Sequence, residues 1–247
     1  MGAAALDLLG LWGLVTARLL PAILCLPPLG GAHLPRPVQL GLAGVLAAAL
    51  LPAGGPVPVL PGLGVYLGLL LKELGLGAVL AVAGLALVEA LRAGGRLADD
   101  LRGAGQAPGG AGDSGDTPLA RLHGLLACLA FFALGGPEAG LRVLGASLVR
   151  LPPLAWPDGA ALEAGARLAV GAFATAFELA MAVAFPAALA GLGVDLVLGW
   201  VGRSAPGLPV HFVAAPLRAV LALGAVALAL EPNLAAWIRR VAGLLGG

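Results

Sequence analysis

The sequence predicts an all-α integral membrane protein, a multi-pass chain of closely packed apolar helices. Two observations carry the prediction. Of 247 residues, 60% are hydrophobic and only 11% are charged, with a mean hydropathy of +1.01. A soluble domain carries roughly a quarter charged residues and about half apolar ones. In water this composition would leave aggregation-prone patches, whereas a bilayer covers them. The second observation is punctuation. Pro/Gly-rich breaks, such as Pro27-Pro28 with Gly30-Gly31 and the run from Pro52 to Pro61, divide the chain into apolar stretches, and prolines end or kink helices.

The stretches fall at residues 3–26, 38–51, 59–91, 119–135, 162–192 and 211–231, and they are expected to form one membrane domain over residues 1–247. The first begins Met1-Gly2-Ala3 with Asp7 ahead of any basic residue and reads on through Arg18. It lacks a basic n-region and is read as a retained helix rather than a signal peptide. A span needs about 20 apolar residues, so 38–51 and 119–135 are short. The 59–91 and 162–192 stretches are long, roughly 45–50 Å if straight. Gly75 and Gly77 lie in one and Pro186 in the other, so both are expected to bend, break or protrude. Irregular pieces are tolerated at membrane depth only where protein satisfies the backbone. That points to a subunit buried among partners. Between the third and fourth stretches, residues 103–118 form a Gly-rich coil (GAGQAPGGAGDSGDT over Gly103–Thr117) with no hydrophobic periodicity.

Forty glycines would let membrane helices approach closely. A GC-rich codon bias accounts for them equally well, so they carry no argument alone. The charges flanking the coil, from Arg92 to Arg121, cancel, and the positive-inside rule gives no orientation.

Several function classes are excluded or disfavoured. A net charge of +1 and 4% aromatic residues offer neither a basic face nor stacking platforms for nucleic acid. Cys25 and Cys128 have no CxxC spacing and read as small buried hydrophobes. Gly112-Asp113-Ser114-Gly115-Asp116 is similar to the segment around a serine-protease nucleophile, but it lies in a coil and lacks the scaffold, base and oxyanion hole. His33, His123 and His211 fit no HExxH or Glu-xx-His pattern. Ser147 and Ser204 sit in no GxSxG context, and there is no phosphate-binding Gly-rich loop. Neither an enzyme nor a cofactor or metal site is expected.

Charges inside the apolar stretches point to function instead: Arg18, Lys72-Glu73, Glu89, Glu178 and Arg218. Ionisable groups at that depth are costly and face a partner or an aqueous cavity. Glu89 and Arg92 can snorkel near a helix end. Glu73 is the sharper case, with apolar residues well beyond it on both sides, and a structural or gating role is expected there. Glu178 is similar.

Read in order, these residues resemble the FliR/YscT (SctT) family, the FliR-type membrane component of the type III secretion export gate. The resemblance runs over nearly the whole chain. It begins with Arg18, Pro27 and the Pro35-Arg36-Pro37 approach to a helix ending at Pro52. Lys72-Glu73-Leu74-Gly75-Leu76-Gly77 is similar to the family's Glu and Gly pattern. Gly95 followed by Asp99-Asp100-Leu101-Arg102-Gly103-Ala104 looks like its G…D-x-x-R-G-A stretch, in a form nearer the virulence-type injectisome branch than the flagellar one. Phe131, Gly135-Gly136, Ser147 and Pro152 match an F…GG…S…P series. Pro186, Gly199, Arg203 and Pro206 fit a P…G-x-x-x-R-x-x-P pattern, with Pro216 beyond. The chain departs from the family after Pro206, where Gly207 and Pro209 replace polar positions and His211 replaces Phe.

The resemblance implies helical hairpins in a single-copy subunit of the bacterial inner membrane. Its implied partners are FliP-like (SctR), FliQ-like (SctS) and FlhB-like (SctU) subunits, with exported unfolded proteins as substrates and lipid around the assembly. The residues expected to carry structure or gating are Arg18, Glu73, Gly77, Asp99, Arg102, Gly103, Glu178, Pro186, Arg203 and Pro206. A plug-like loop in relatives gives residues 103–118 the expected role of a movable seal. The rival reading is a subunit of a small-molecule transporter or permease, which would show inverted hydropathy repeats with matching broken helices.

Overall fold

The computed structural model describes residues 2–27, 31, 34–51, 58–103, 116–205 and 210–245. Among them there are seven α-helices and no strand. They are α1 (Ala3–Cys25), α2 (Arg36–Leu50), α3 (Leu63–Leu101), α4 (Pro118–Ala133), α5 (Gly136–Arg150), α6 (Gly159–Ser204) and α7 (Val210–Leu245). The all-α class stands. Among the described residues four helices, α1, α3, α6 and α7, are long and apolar enough to cross a membrane, and α4 and α5, bent by 70° at the break between them, make a fifth only if the pair counts as one span.

Each helix differs from its apolar stretch for a physical reason. α3 continues ten residues beyond position 91 through Arg92, Arg96, Asp99 and Asp100 to Leu101, because charged residues end a hydropathy run without ending a helix. α6 runs unbroken through Pro186 and α3 through Gly75 and Gly77. A proline removes one backbone bond, which a helix of 46 residues absorbs when neighbours pack against it. Helix α5 has no counterpart among the apolar stretches. It carries Glu138, Arg142 and Arg150, too polar for a hydropathy signal. Pro137, with no N–H to give to the preceding turn, opens it and keeps α4 from continuing.

The chain divides into two compact units, residues 1–86 with 131–173, and residues 87–130 with 174–247. In the first, α1 and α2 form an antiparallel hairpin. The Trp12 indole N–H donates to Gly44 O at 2.8 Å, and Val15, Leu19 and Ile23 bury against Ala43, Ala47 and Leu144 of α5. α3 runs parallel to α1: Tyr66 Oη donates to Gly10 O at 3.1 Å, and Gly84 lies against Leu26. In the second unit, Ala98, Leu119, Ala187, Ala222 and Val226 form the core. There the fully buried Trp237 of α7 donates its indole N–H to Leu87 O at 2.8 Å.

Candidate functional site

Of the intramembrane charges, Arg18, Lys72 and Glu73 converge in the first unit. Their side chains are 1%, 4% and 0% exposed, so each must find its partners within protein. Arg18 of α1 meets Glu73 of α3 as a fork: Nε donates to Oε2 and Nη2 to Oε1 at 2.8 Å. Such bidentate, charge-assisted geometry is the strong form of the ion pair. The rest of the guanidinium donates to Ser147 O and Leu151 O, both at 2.8 Å. These carbonyls lie at the end of α5. Ser147 O also accepts the Leu151 N–H at 2.9 Å and offers the guanidinium its second lone pair. Leu151 O follows the last turn, where helix geometry leaves acceptors without intrahelical donors. Lys72 Nζ lies 2.6 Å from Glu73 Oε1 and donates to Pro153 O and Ala155 O, both at 2.8 Å.

The cluster holds two cations and one carboxylate. The carbonyl dipoles at the end of α5 supply the remaining negative potential. What it does chemically is hold: it ties α1 to α3 and both to the connection between α5 and α6. Gly77 completes the arrangement. A Cβ there would lie 2.1 Å from Arg18 O, so only glycine lets α3 come this close to α1.

A second polar group lies at the end of α3 in the second unit. Asp99 is fully buried. Its Oδ2 accepts the Leu119 N–H at 2.7 Å, in the first turn of α4, and its Oδ1 lies 2.5 Å from Arg102 Nη2. A carboxylate at a helix start fills an orphan donor and suits the helix dipole. Gly95 makes room, because a Cβ there would come within 2.6 Å of Leu119 O. Beside it, Asp116 accepts from Arg96 Nη2 at 2.6 Å and lies 3.6 Å from Arg92 Nε. Gly103 follows α3 with φ +83°, a left-handed conformation that glycine adopts without strain. Both flanks of the Gly-rich segment are therefore fixed to α3. Residues 104–115 of that segment lie outside the described residues, as does Pro206.

The other expected residues stand apart from these groups. Glu178 of α6 pairs with Arg240 of α7 at 2.5 Å, both partly exposed. Pro186 is interior to α6, and Arg203 is exposed in its last turn. Sequence reasoning missed the partners: Asp116, Arg240, the Ser147 and Leu151 carbonyls, and the Lys72 grip on Pro153 and Ala155. Lys72 beside Glu73 was a signal, but its acceptors are backbone oxygens, which no sequence pattern marks.

The family described as Bacterial export proteins, family 1, matches residues 9–243 of the chain. The flagellar biosynthetic protein FliR of Caulobacter vibrioides is 26% identical over 239 residues, covering 94% of this chain and 93% of the relative.

Proposed function

This chain belongs to the bacterial export proteins of family 1, and from that premise we propose that it is a structural and gating subunit of a type III protein export gate. It lines and seals the portal through which unfolded proteins leave the cytoplasm across the bacterial inner membrane. The mechanism is packing and sealing, with no covalent step and no cofactor.

One observation carries the reading beyond family membership. Large apolar residues are exposed along α6 from Leu162 to Trp200, about 57 Å at 1.5 Å per residue. The hydrocarbon core is only about 30 Å thick. Lipid cannot cover that length on an upright helix, which supports cover by other protein subunits. The FliP-like and FliQ-like subunits implied by the resemblance are the proposed neighbours, with the FlhB-like protein beside them. The form of the Asp99–Ala104 stretch supports the injectisome branch over the flagellar one. The Gly-rich segment, with Asp99 and Asp116 at its flanks, is proposed as the seal.

The test is native mass spectrometry of the tagged chain co-expressed with the membrane proteins encoded beside its gene. A discrete complex with one copy of this chain and several copies of two smaller hydrophobic subunits is the expected result. A stable monomer or homodimer that ignores those neighbours and supports solute uptake would turn the reading to the transporter.

A further inference from the structure

Between Arg18 and Lys72 the sequence contains a single Asp, Glu, Lys or Arg: Arg36. It is exposed and has no carboxylate partner among the described residues. By contrast Arg18, Lys72, Glu73, Glu89, Glu178 and Arg218, the charges that interrupt the apolar stretches, are each paired. Arg36 lines a cavity of about 430 Å³ together with Leu24, Gly31, Leu34, Pro35 and Gln39. That volume lies within the range of small-ligand pockets, about 300–1,000 Å³. The Gln39 amide donates to Gly31 O, and Leu24, Leu34 and Pro35 are the apolar lining among the described residues.

The level of this cavity in a bilayer follows from α1 and α3. The apolar stretch Ala5–Cys25 has 21 residues, about 31 Å at 1.5 Å per residue, the thickness of the hydrocarbon core. Its far end, Leu26, abuts Gly84 of the parallel α3. From Leu74 to Val88 α3 carries no charge, and charges resume at Glu89, five residues past Gly84 and about 7 Å along the axis. Two helices thus place one edge of the hydrocarbon at Leu26 and Gly84. Glu73 and its cations then lie roughly 16 Å inside that edge, which explains their complete enclosure. Leu24, Arg36 and Gln39 lie at the edge itself.

We infer that this cavity is a binding site for the phosphate-bearing headgroup of an anionic phospholipid. Arg36 pairs with the phosphate, and the Leu24, Leu34 and Pro35 wall takes the adjoining glycerol and acyl carbons. A cation at the headgroup level attracts anionic lipid, and a guanidinium presents a planar fork matched to phosphate oxygens. The unpaired charge receives its counterion from the bilayer. This inference does not depend on the export reading.

The test is native mass spectrometry of the full chain released from nanodiscs of phosphatidylglycerol mixed with phosphatidylcholine, counting phosphatidylglycerol that survives mild activation. Arg36→Gln is expected to lower retained phosphatidylglycerol about fivefold, and Arg36→Lys, which keeps the charge but loses the planar fork, to fall between Arg36→Gln and the parent. Leu34→Trp, which fills the cavity and keeps the charge, is also expected to lower it. Arg142→Gln removes an exposed charge elsewhere and is expected to change nothing. Equal retention in Arg36→Gln and the parent would overturn the site, as would an equal loss in Arg142→Gln. Competition by millimolar inorganic phosphate that displaces the lipid fully would show a free-phosphate site and overturn the lipid assignment. A melting temperature matching the parent keeps loss of binding distinct from unfolding.

Discussion

Lys72 and Glu73 are adjacent on α3 yet hold different parts of the protein. Glu73 holds Arg18 of α1 in a two-bond fork, whereas Lys72 reaches the carbonyls of Pro153 and Ala155 in the connection between α5 and α6. The charge count makes the two positions unequal. Removing the carboxylate strands two buried cations, while removing the lysine leaves a balanced pair.

Glu73→Gln should therefore cost about 3–5 kcal/mol, the usual penalty for breaking a buried ion pair by deleting one partner. Thermal or denaturant unfolding of the purified chain in detergent measures it. A loss under about 1 kcal/mol would mean that water reaches the cluster.

Lys72→Met should leave the helices packed and loosen the connection. The expected signature is faster hydrogen exchange at Ala155, whose N–H donates to Pro152 O at 3.0 Å, with a loss of stability smaller than that of Glu73→Gln. Unchanged exchange across residues 151–158 would show that the prolines alone hold this segment.

Two glycines one turn-half apart should behave in opposite ways. Gly77→Ala puts a methyl group against Arg18 O and must push α1 from α3, at a cost of roughly 2 kcal/mol or more. Gly75 has open space around its position, and Gly75→Ala should gain up to about 1 kcal/mol from helix propensity. Paired melting curves decide it, and equal destabilisation by both would remove the close-approach argument.

Asp99→Ala should cost about 2–3 kcal/mol by stripping hydrogen bonds to a charged group. Asp99→Asn should cost less, because the amide oxygen still accepts the Leu119 N–H. Exchange at the Leu119 amide reports the cap directly, and protection unchanged in Asp99→Ala would contradict the assignment.

Deleting residues 105–114 should raise ion conductance through the assembled gate while leaving assembly intact. Conductance indistinguishable from the parent would remove the sealing role.

The fold class was legible because composition dictates it: with 11% charged residues there is no water-soluble solution. Arg18 and Glu73 were legible as unusual because each interrupts an apolar run. That they meet was not, since 55 residues separate them and pairing across helices leaves no local trace. α5 was hidden by its polarity, and the charged end of α3 by the same rule that finds apolar spans. Asp99 was visible through the D-x-x-R-G-A resemblance, but its contact with the Leu119 N–H depends on Gly95 letting the backbones meet.

The reach of Arg18 to Ser147 also has a consequence in time. The two residues are 129 positions apart, and at about 5–20 residues per second a ribosome needs roughly 6–26 s between them. Glu73 is made earlier and can neutralise Arg18, but the carbonyls that take the remaining donors, and those that take Lys72, do not yet exist. For that interval the nascent helices carry unmet donors that lipid cannot satisfy. α1 and α3 must therefore wait beside water or an insertion machine until the end of α5 is made.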